Sequence, residues 1–316
     1  YGSLSVDATG KWTYTLNNSA ANVQALTSTD HVTDSFTVKV TDDKGAITTQ
    51  TVTVNVNGSN DAPVIGGVAT GATQEDTTLT ATGQLTATDP DHGSVFTWAV
   101  ANSGAGTYGT LSVDATGKWT YTLNNSAANV QSLTASDHVT DSFTVKVVDD
   151  KGAITLQTVT VNVNGSNDAA VITGVATGST QEDVTTSATG QLSATDPDHG
   201  SVFSWSVANS GAGTYGSLAV DSTGKWTYTL NNAASNVQAL AQGETVTDTF
   251  TVSVNDGHGD TTTQTVTVNI LGTNDAPVIA GVATGTTQED VTLTTTGQLT
   301  ATDVDHGATE IGRAHV

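Results

Sequence analysis

The chain of 316 residues has 32 glycines, 5% aromatics, no cysteine and a formal net charge of -23, from 31 Asp and Glu against 8 Lys and Arg. Such an acidic surface repels nucleic-acid phosphate and anionic lipid, which removes both as partners; it attracts cations, or simply keeps a secreted chain soluble. Without cysteine there is no disulfide staple, no thiolate nucleophile and no thiolate zinc ligand, so rigidity must come from elsewhere, and bound metal is one common source. No apolar run approaches a membrane span, which argues against direct membrane insertion. Tyr1 opens in mid-strand without a leader, so the N-terminus reads as truncated.

The string YGSLSVDATGKWTYTLNN at Tyr1 returns as YGTLSVDATGKWTYTLNN at Tyr108 and as YGSLAVDSTGKWTYTLNN at Tyr215, a spacing of 107 residues each time. SNDAPVI at Ser59 returns on the same period as SNDAAVI at Ser166 and TNDAPVI at Thr273. A unit this long can bury its own core, so the array is a string of domains rather than a solenoid. Gly, Asn, Asp and Pro interrupt the strand pattern at the linkers. Boundaries placed there give a partial module over 1–59, complete modules over 60–166 and 167–273, and a partial module over 274–309. The final EIGRAHV, residues 310–316, breaks the repeat and resembles a translated sequencing adapter, so Arg313 and His315 carry no functional weight.

Within 60–166 the strand candidates in chain order are 64–68, 78–88, 95–101, 109–113, 118–123, 141–148 and 155–163. Alternation is clearest in Phe143-Val145-Val147 and Val159-Val161-Val163, with polar residues between them, the pattern of half-buried strands. Asp114 to Gly117 reads as the turn of a hairpin that sends Trp119 and Tyr121 to one face. Residues 125–133 carry the only helix signal, one or two turns long. Seven short strands in a 107-residue repeat predict an all-β fold of tandem Greek-key sandwiches, immunoglobulin-like or cadherin-like.

Four acidic groups recur in register: Asn60-Asp61 in the linker, Glu75-Asp76, Asp89-Pro90-Asp91, and Asp149. Their counterparts are Asn167, Asp168, Glu182, Asp183, Asp196, Asp198 and Asp256 in the next copy, then Asn274, Asp275, Glu289, Asp290, Asp303 and Asp305. Asp150 becomes Gly257 and is the weaker candidate. Each residue alone is an ordinary turn former. Together they offer the six to eight oxygens that calcium requires, and crowded carboxylates repel one another unless a cation neutralises them.

Other chemistry has thinner support. His92 and His138 are too few for zinc, and Thr245 replaces the latter in the third copy, so His92 reads as an exposed turn residue. No nucleophile-elbow signature is present. Paired carboxylates can hydrolyse glycosides, but an active site repeated every 107 residues is unusual for an enzyme, and none is expected. Trp98, Tyr108, Trp119 and Tyr121 could face a glycan, although strand aromatics beside a turn are more often core.

The strings YGTLSVDATGKWTYTLNN, DHVTDSFTVKVVDDKGA, TVTVNVNGSNDAPV and TGQLTATDPDHG span nearly the whole repeat, and together they resemble the VCBS repeat of giant bacterial RTX-type adhesins, a cadherin-like family. ATDPD and NDAP resemble cadherin calcium motifs, although the second Asn of the cadherin linker is missing after Asp61. The resemblance implies calcium near inter-module junctions, with Asp61 as a ligand and Asp89, Asp91, Glu75 and the preceding module's Asp42 as the other matching positions. It further implies extender modules of a secreted adhesin on a bacterial cell surface, serving adhesion or biofilm formation. Their partners would be neighbouring modules of the same chain and, in the alternative reading, a glycan or cell-surface ligand bound directly.

Overall fold

The computed structural model describes residues 1–309 and Gly312. Most of the adapter-like tail, including Arg313 and His315, lies outside the described residues. The chain forms two compact units, Tyr1–Ser166 and Asn167–Val316.

The first unit opens with the hairpin β1 (Gly2–Val6) and β2 (Trp12–Leu16), the single-turn helix α1 (Ala21–Gln24), and the hairpin β3 (His31–Thr41) and β4 (Ile47–Asn57). A complete sandwich follows: β5 (Val64–Gly67), β6 (Thr70–Gln74), β7 (Thr80–Thr88), β8 (Thr97–Val100), β9 (Gly109–Val113), β10 (Lys118–Leu123), α2 (Ala128–Gln131), β11 (His138–Val148) and β12 (Ile154–Asn164). Its two sheets have the orders β5-β7-β10-β9 and β6-β12-β11-β8. All pairs are antiparallel except β6 with β12. This is the sandwich arrangement expected from the repeat.

The second unit repeats the pattern. Its strands are β13 (Val171–Gly174), β14 (Thr177–Gln181), β15 (Ser187–Thr195), β16 (Ser204–Val207), β17 (Gly216–Val220) and β18 (Lys225–Leu230), then α3 (Ser235–Gln238), β19 (Thr245–Asn255) and β20 (Thr261–Leu271). The sheet orders β13-β15-β18-β17 and β14-β20-β19-β16 match those of the first sandwich. The trailing segment contributes the pair β21 (Val278–Gly281) and β22 (Leu299–Thr302).

Sequence periodicity finds every strand of the sandwich but β6. TGATQ has no apolar alternation, and it buries a threonine, Thr73, where its neighbours bury valine. Entry to β6 requires the chain to leave one sheet for the other just after β5. Gly67 makes this crossing at φ 95, and a Cβ there would lie 2.2 Å from the Gln84 carbonyl oxygen. Only glycine satisfies both conditions. Gly174 and Gly281 repeat the conformation at φ 112 and 115. This crossing places the Glu75-Asp76 turn at the end of β12, where Glu75 N–H donates to the Asn164 carbonyl at 3.0 Å.

Trp119 and Tyr121 point inward, as the hairpin pattern requires, and both are fully buried. The indole donates to the Val68 carbonyl at 2.7 Å. Trp98 and Tyr108 are half-buried and pack against the same core, which leaves the glycan-platform reading without Trp119 and Tyr121. Beneath the Tyr121 ring, buried Asp141 accepts four hydrogen bonds: from Thr107, Tyr108 and Gly109 N–H at 2.8–3.1 Å and from the Tyr121 hydroxyl at 2.9 Å. Burial and the Asp141 charge both push the Tyr121 hydroxyl pKa up, burial more strongly. Asp248 and Tyr228 repeat the arrangement in the second sandwich.

A hydrogen bond to a buried charge contributes about 1.5–3 kcal/mol. Tyr121→Phe should therefore lower one thermal transition by roughly 4–8 °C per kcal/mol lost, while the transition of the sandwich carrying Tyr228 stays in place. Asp141→Ala, which strands four donors, should cost about 3 kcal/mol or more. Calorimetry of the full chain reads both effects, with the unmutated repeat as internal control.

Candidate cation site at the ends of the sandwiches

One end of the first sandwich collects the linker and the D-x-D loop. Asp61 N–H donates to Asp91 Oδ2 at 3.0 Å, and Asp91 N–H donates to Asp89 Oδ1 at 2.9 Å. These bonds hold one oxygen of each carboxylate and leave the other, Asp91 Oδ1 and Asp89 Oδ2, buried without a partner. The second unit repeats the pattern twice. Asp168 N–H meets Asp198 Oδ2 at 2.9 Å and Asp198 N–H meets Asp196 Oδ1 at 2.8 Å; Asp275 N–H meets Asp305 Oδ2 and Asp305 N–H meets Asp303 Oδ1, both at 3.0 Å. Asp196 Oδ2, Asp198 Oδ1, Asp275 Oδ2 and Asp305 Oδ1 are again buried and bare.

At the other end of each sandwich, the turn after β6 or β14 presents Glu75-Asp76 or Glu182-Asp183. Glu182 is fully buried, and one carboxylate oxygen from each of Glu182, Asp183 and Asp275 lies within 4.8 Å of the others. Thr273 N–H donates to Glu182 Oε2 at 3.3 Å, so the linker reaches this acid through its backbone as well. Burial raises the Glu182 pKa; one N–H bond from Thr273 opposes it, and Asp275, Asp183 and Asp305 push it further up. Asp275 is raised by burial first, then by Asp183 and Asp305. In Asp198, burial and Asp196 outweigh the N–H bond from Asp168.

The remaining candidates occupy other places. Glu75 and Asp76 lie at the opposite end of their sandwich from Asp61, Asp89 and Asp91, and they hold the following residue Ser166 by its N–H and hydroxyl. Asp42 closes the β3–β4 turn, accepting from Lys44 and Ala46 N–H at 2.9 and 2.8 Å. An eleven-residue hairpin separates it from the Asp61 linker, about 35 Å at the usual rise. Asp42 and Asp61 therefore sit at opposite poles. Asp149, its counterpart, spends Oδ1 on Lys151 and Ala153 N–H and Oδ2 on the Asn60 amide at 3.0 Å. Burial opposes ionisation of Asp149, but these donors prevail and lower its pKa. Asp256 grips Asn167 in the same way. These two aspartates anchor the linker asparagines. The amide of Asn274 turns back to the Asp275 carbonyl at 2.8 Å. Glu289 and Asp290 form the same turn as Glu182 and Asp183 but are exposed.

His92 is exposed, as a turn histidine should be, yet it is not idle. Its N–H donates to the Ala25 carbonyl at 3.2 Å and its ring nitrogen Nε2 lies 2.9 Å from Asp30 Oδ2. His306 makes the equivalent contacts with the Ala239 carbonyl at 2.9 Å and with Glu244 at 3.1 Å. The D-x-D-H loops at His92 and His306 thus grip the segment just after the short helix of the preceding repeat. Sequence reading missed Asp30, Glu244, Asn232 and Gln238; the only signal was the recurrence of Asn-Asn and of Asn-Val-Gln at fixed offsets.

The sequence profile of the family described as bacterial cadherin-like domain matches residues 1–58, 60–165 and 167–272. The chain belongs to this family. A comparison with curated proteins returns no match. Among solved structures the chain is similar to protocadherin γB3 EC1-4, at 16% identity over 86% of this chain and 64% of that one, TM-score 0.47. It is also similar to protocadherin gamma B2 extracellular cadherin domains 1-5, at 15% identity over 97% and 58%, TM-score 0.49. Mouse cadherin-23 EC22-24 gives 17% identity over 85% and 81%, TM-score 0.45. The chain spans 64% and 58% of the two protocadherin fragments. Cadherin-like domains are generally non-enzymatic structural or adhesion modules and are usually extracellular. No helix among the described residues is long and apolar enough to cross a membrane.

The carboxylates of this chain fit a hard divalent cation such as calcium. An unpaired buried carboxylate oxygen is costly, and here such oxygens recur at every linker. The donor set is all oxygen, which suits a hard cation with many ligands and not zinc.

Glu182 and Asp275 have folded pKa values above their unfolded ones. Below the unfolded value neither costs stability; as pH rises through the folded value the penalty appears in full. In chelator, Glu182→Gln should therefore raise the melting temperature at neutral pH and flatten its dependence between mildly acidic and neutral pH. With calcium present the same variant should lose the part of the calcium-induced gain that belongs to the linker at Asp275. A wild-type-like calcium gain in Glu182→Gln would show that Glu182 is not a ligand.

Proposed function

We propose that this chain is a run of extender modules, of the VCBS type, from a secreted bacterial surface adhesin, stiffened by calcium at the linkers. The observation that carries the reading is that bare, buried carboxylate oxygens stand at three successive linkers beside the same N–H-to-carboxylate bond, on Asp89 and Asp91, on Asp196 and Asp198, and on Asp275 and Asp305. Module boundaries fall at 59/60, 166/167 and 273/274. At the last of these, Glu182, Asp183, Asp275, Asp303 and Asp305 would hold the ion; at the earlier linkers Asp61, Asp89 and Asp91, and Asp168, Asp196 and Asp198, would take the same part. Bound calcium supplies positive charge that these carboxylates otherwise lack. Asp149 and Asp256 orient the linker through Asn60 and Asn167, and the D-x-D-H loops hold the preceding repeat by contacts that need no ion.

The modules hold an adhesive unit away from the cell, and adhesion or biofilm formation follows from that reach. Their immediate partners are neighbouring modules of the same chain, and the cell-surface or glycan target belongs to the adhesive unit. Extracellular modules bind calcium at about 10⁻⁴–10⁻³ M, so the array is loose where calcium is scarce and stiff outside the cell.

At a calcium concentration about 100 times the dissociation constant, each occupied site adds roughly 2.7 kcal/mol. The chain stripped with chelator should melt several degrees lower than the calcium-loaded chain, and its maximum dimension in small-angle scattering should grow on adding calcium. Unchanged melting and unchanged dimension would defeat the proposal.

A further inference from the structure

The single-turn helix and the Asn-Asn pair before it have no role in the cation chemistry described so far, yet both reach the acidic turn. Asp183 and Asn232 exchange two hydrogen bonds: Asp183 N–H to Asn232 Oδ1 at 3.0 Å, and Asn232 Nδ2 to Asp183 Oδ1 at 2.6 Å. Gln238, the last residue of α3, donates its amide to Glu182 Oε1 at 3.0 Å, to Asp183 Oδ1 at 3.5 Å and to the Asn232 carbonyl at 2.9 Å. The first sandwich repeats the set: Asn125 with Asp76 at 3.0 and 2.7 Å, and Gln131 with Glu75 at 3.0 Å and Asp76 at 3.4 Å.

The aspartate of this turn has a left-handed backbone, φ 59 at Asp76 and φ 56 at Asp183. Asp290 has φ 61 in the trailing segment, which contains no counterpart of α3 among the described residues. The turn itself, closed by hydrogen bonds between Gln288 and Thr292, is enough to set that backbone. What Asn and Gln add is therefore control of the two side chains. Neutral N–H donors between two close carboxylates offset their repulsion, and the Glu182 and Glu75 oxygens that accept one amide hydrogen retain a second lone pair for a cation.

We propose that Asn232 and Gln238, with Asn125 and Gln131, are positioning residues that hold the Glu–Asp pair in place before the ion arrives. The inference rests on the calcium reading above and deepens it. The helix serves as the bracket: its Gln faces the acids of its own sandwich, while the carbonyl just beyond it, Ala239, accepts from His306 of the following segment. Ligands already in place avoid an ordering cost on binding, so the clasp acts on affinity.

The test uses the full chain and two paired variants, Asn125→Ala with Asn232→Ala, and Gln131→Met with Gln238→Met, the latter keeping shape and helix preference while removing the donor. Calcium titration by calorimetry should show about a tenfold weaker affinity in each pair. Melting in chelator should stay near wild type, because the metal-free turn keeps its backbone. Terbium luminescence lifetimes should shorten, since a misplaced carboxylate is replaced by water. Wild-type affinity and lifetime in both variants would overturn the clasp and leave the calcium reading standing. A drop in chelator melting as large as the loss of affinity would make these residues merely structural. Absence of calcium binding by the wild-type chain would overturn the reading and the clasp together.

Discussion

A carboxylate held by one oxygen and bare at the other is the constraint on which the junction chemistry depends. The D-x-D loop fixes its two aspartates through main-chain N–H groups, Asp61 to Asp91 and Asp91 to Asp89, so neither can swing away from its neighbour. Backbone donors cannot be titrated and do not change rotamer. Crowding is thus built into the fold, and a repulsive site persists whether or not a counter-ion is present. The raised pKa values of Glu182, Asp198 and Asp275 express the same strain in protonation. A proton and a divalent cation compete to relieve it, and at neutral pH protons are scarce.

Comparison with Asp141 shows what the junction withholds. That side chain is also buried, but four donors surround it, and it serves the sandwich as an internal brace joining β11 to the loop before β9. The same residue type therefore does opposite work in one module. Where donors match acceptors the charge is compensated within the fold; where acceptors outnumber donors the charge is left for a cation to offset on the proposed reading. Asp149 and Asp256 stand between these cases, engaged by turn N–H groups and a linker amide, and they hold the linker asparagines.

Much of this was legible in the sequence, for identifiable reasons. The 107-residue period, the Phe143-Val145-Val147 alternation and the Asp114–Gly117 turn are local signals, and the structure forms the elements they predict. Strand β6 was invisible because TGATQ carries no apolar period; it is a strand only because Gly67 lets the chain change sheets and β12 offers a parallel edge. That omission hid which pole each acid occupies. Asp42 and Glu75 were grouped with Asp61 by resemblance, whereas the β3–β4 hairpin and the β6 crossing send both to the far ends of their sandwiches. Asn232 and Gln238 stayed hidden because their partners lie about fifty residues away in sequence, and no pattern in one chain reports a contact at that distance.

The two kinds of junction contact have different dependence on the medium, and this explains why both are present. On the proposed reading, carboxylate–cation contacts would form only where free calcium is present and relax when it is removed. The D-x-D-H loop needs no ion: a main-chain hydrogen bond from His92 or His306 to the carbonyl after the short helix holds regardless, and the imidazole–carboxylate contact beside it is solvent-exposed and individually weak. A junction built only of the first kind would separate its modules completely on calcium loss, exposing bare carboxylates and linker backbone together. With the second kind retained, loss of the proposed calcium would free bending about a tether that is still seated. The short helix joins the two systems, since Gln238 touches the acids and Ala239 the following loop one residue later. The two contacts are thus one residue apart on one turn of helix, and on the proposed reading stiffness at a linker would depend on this bracket as well as on the ion.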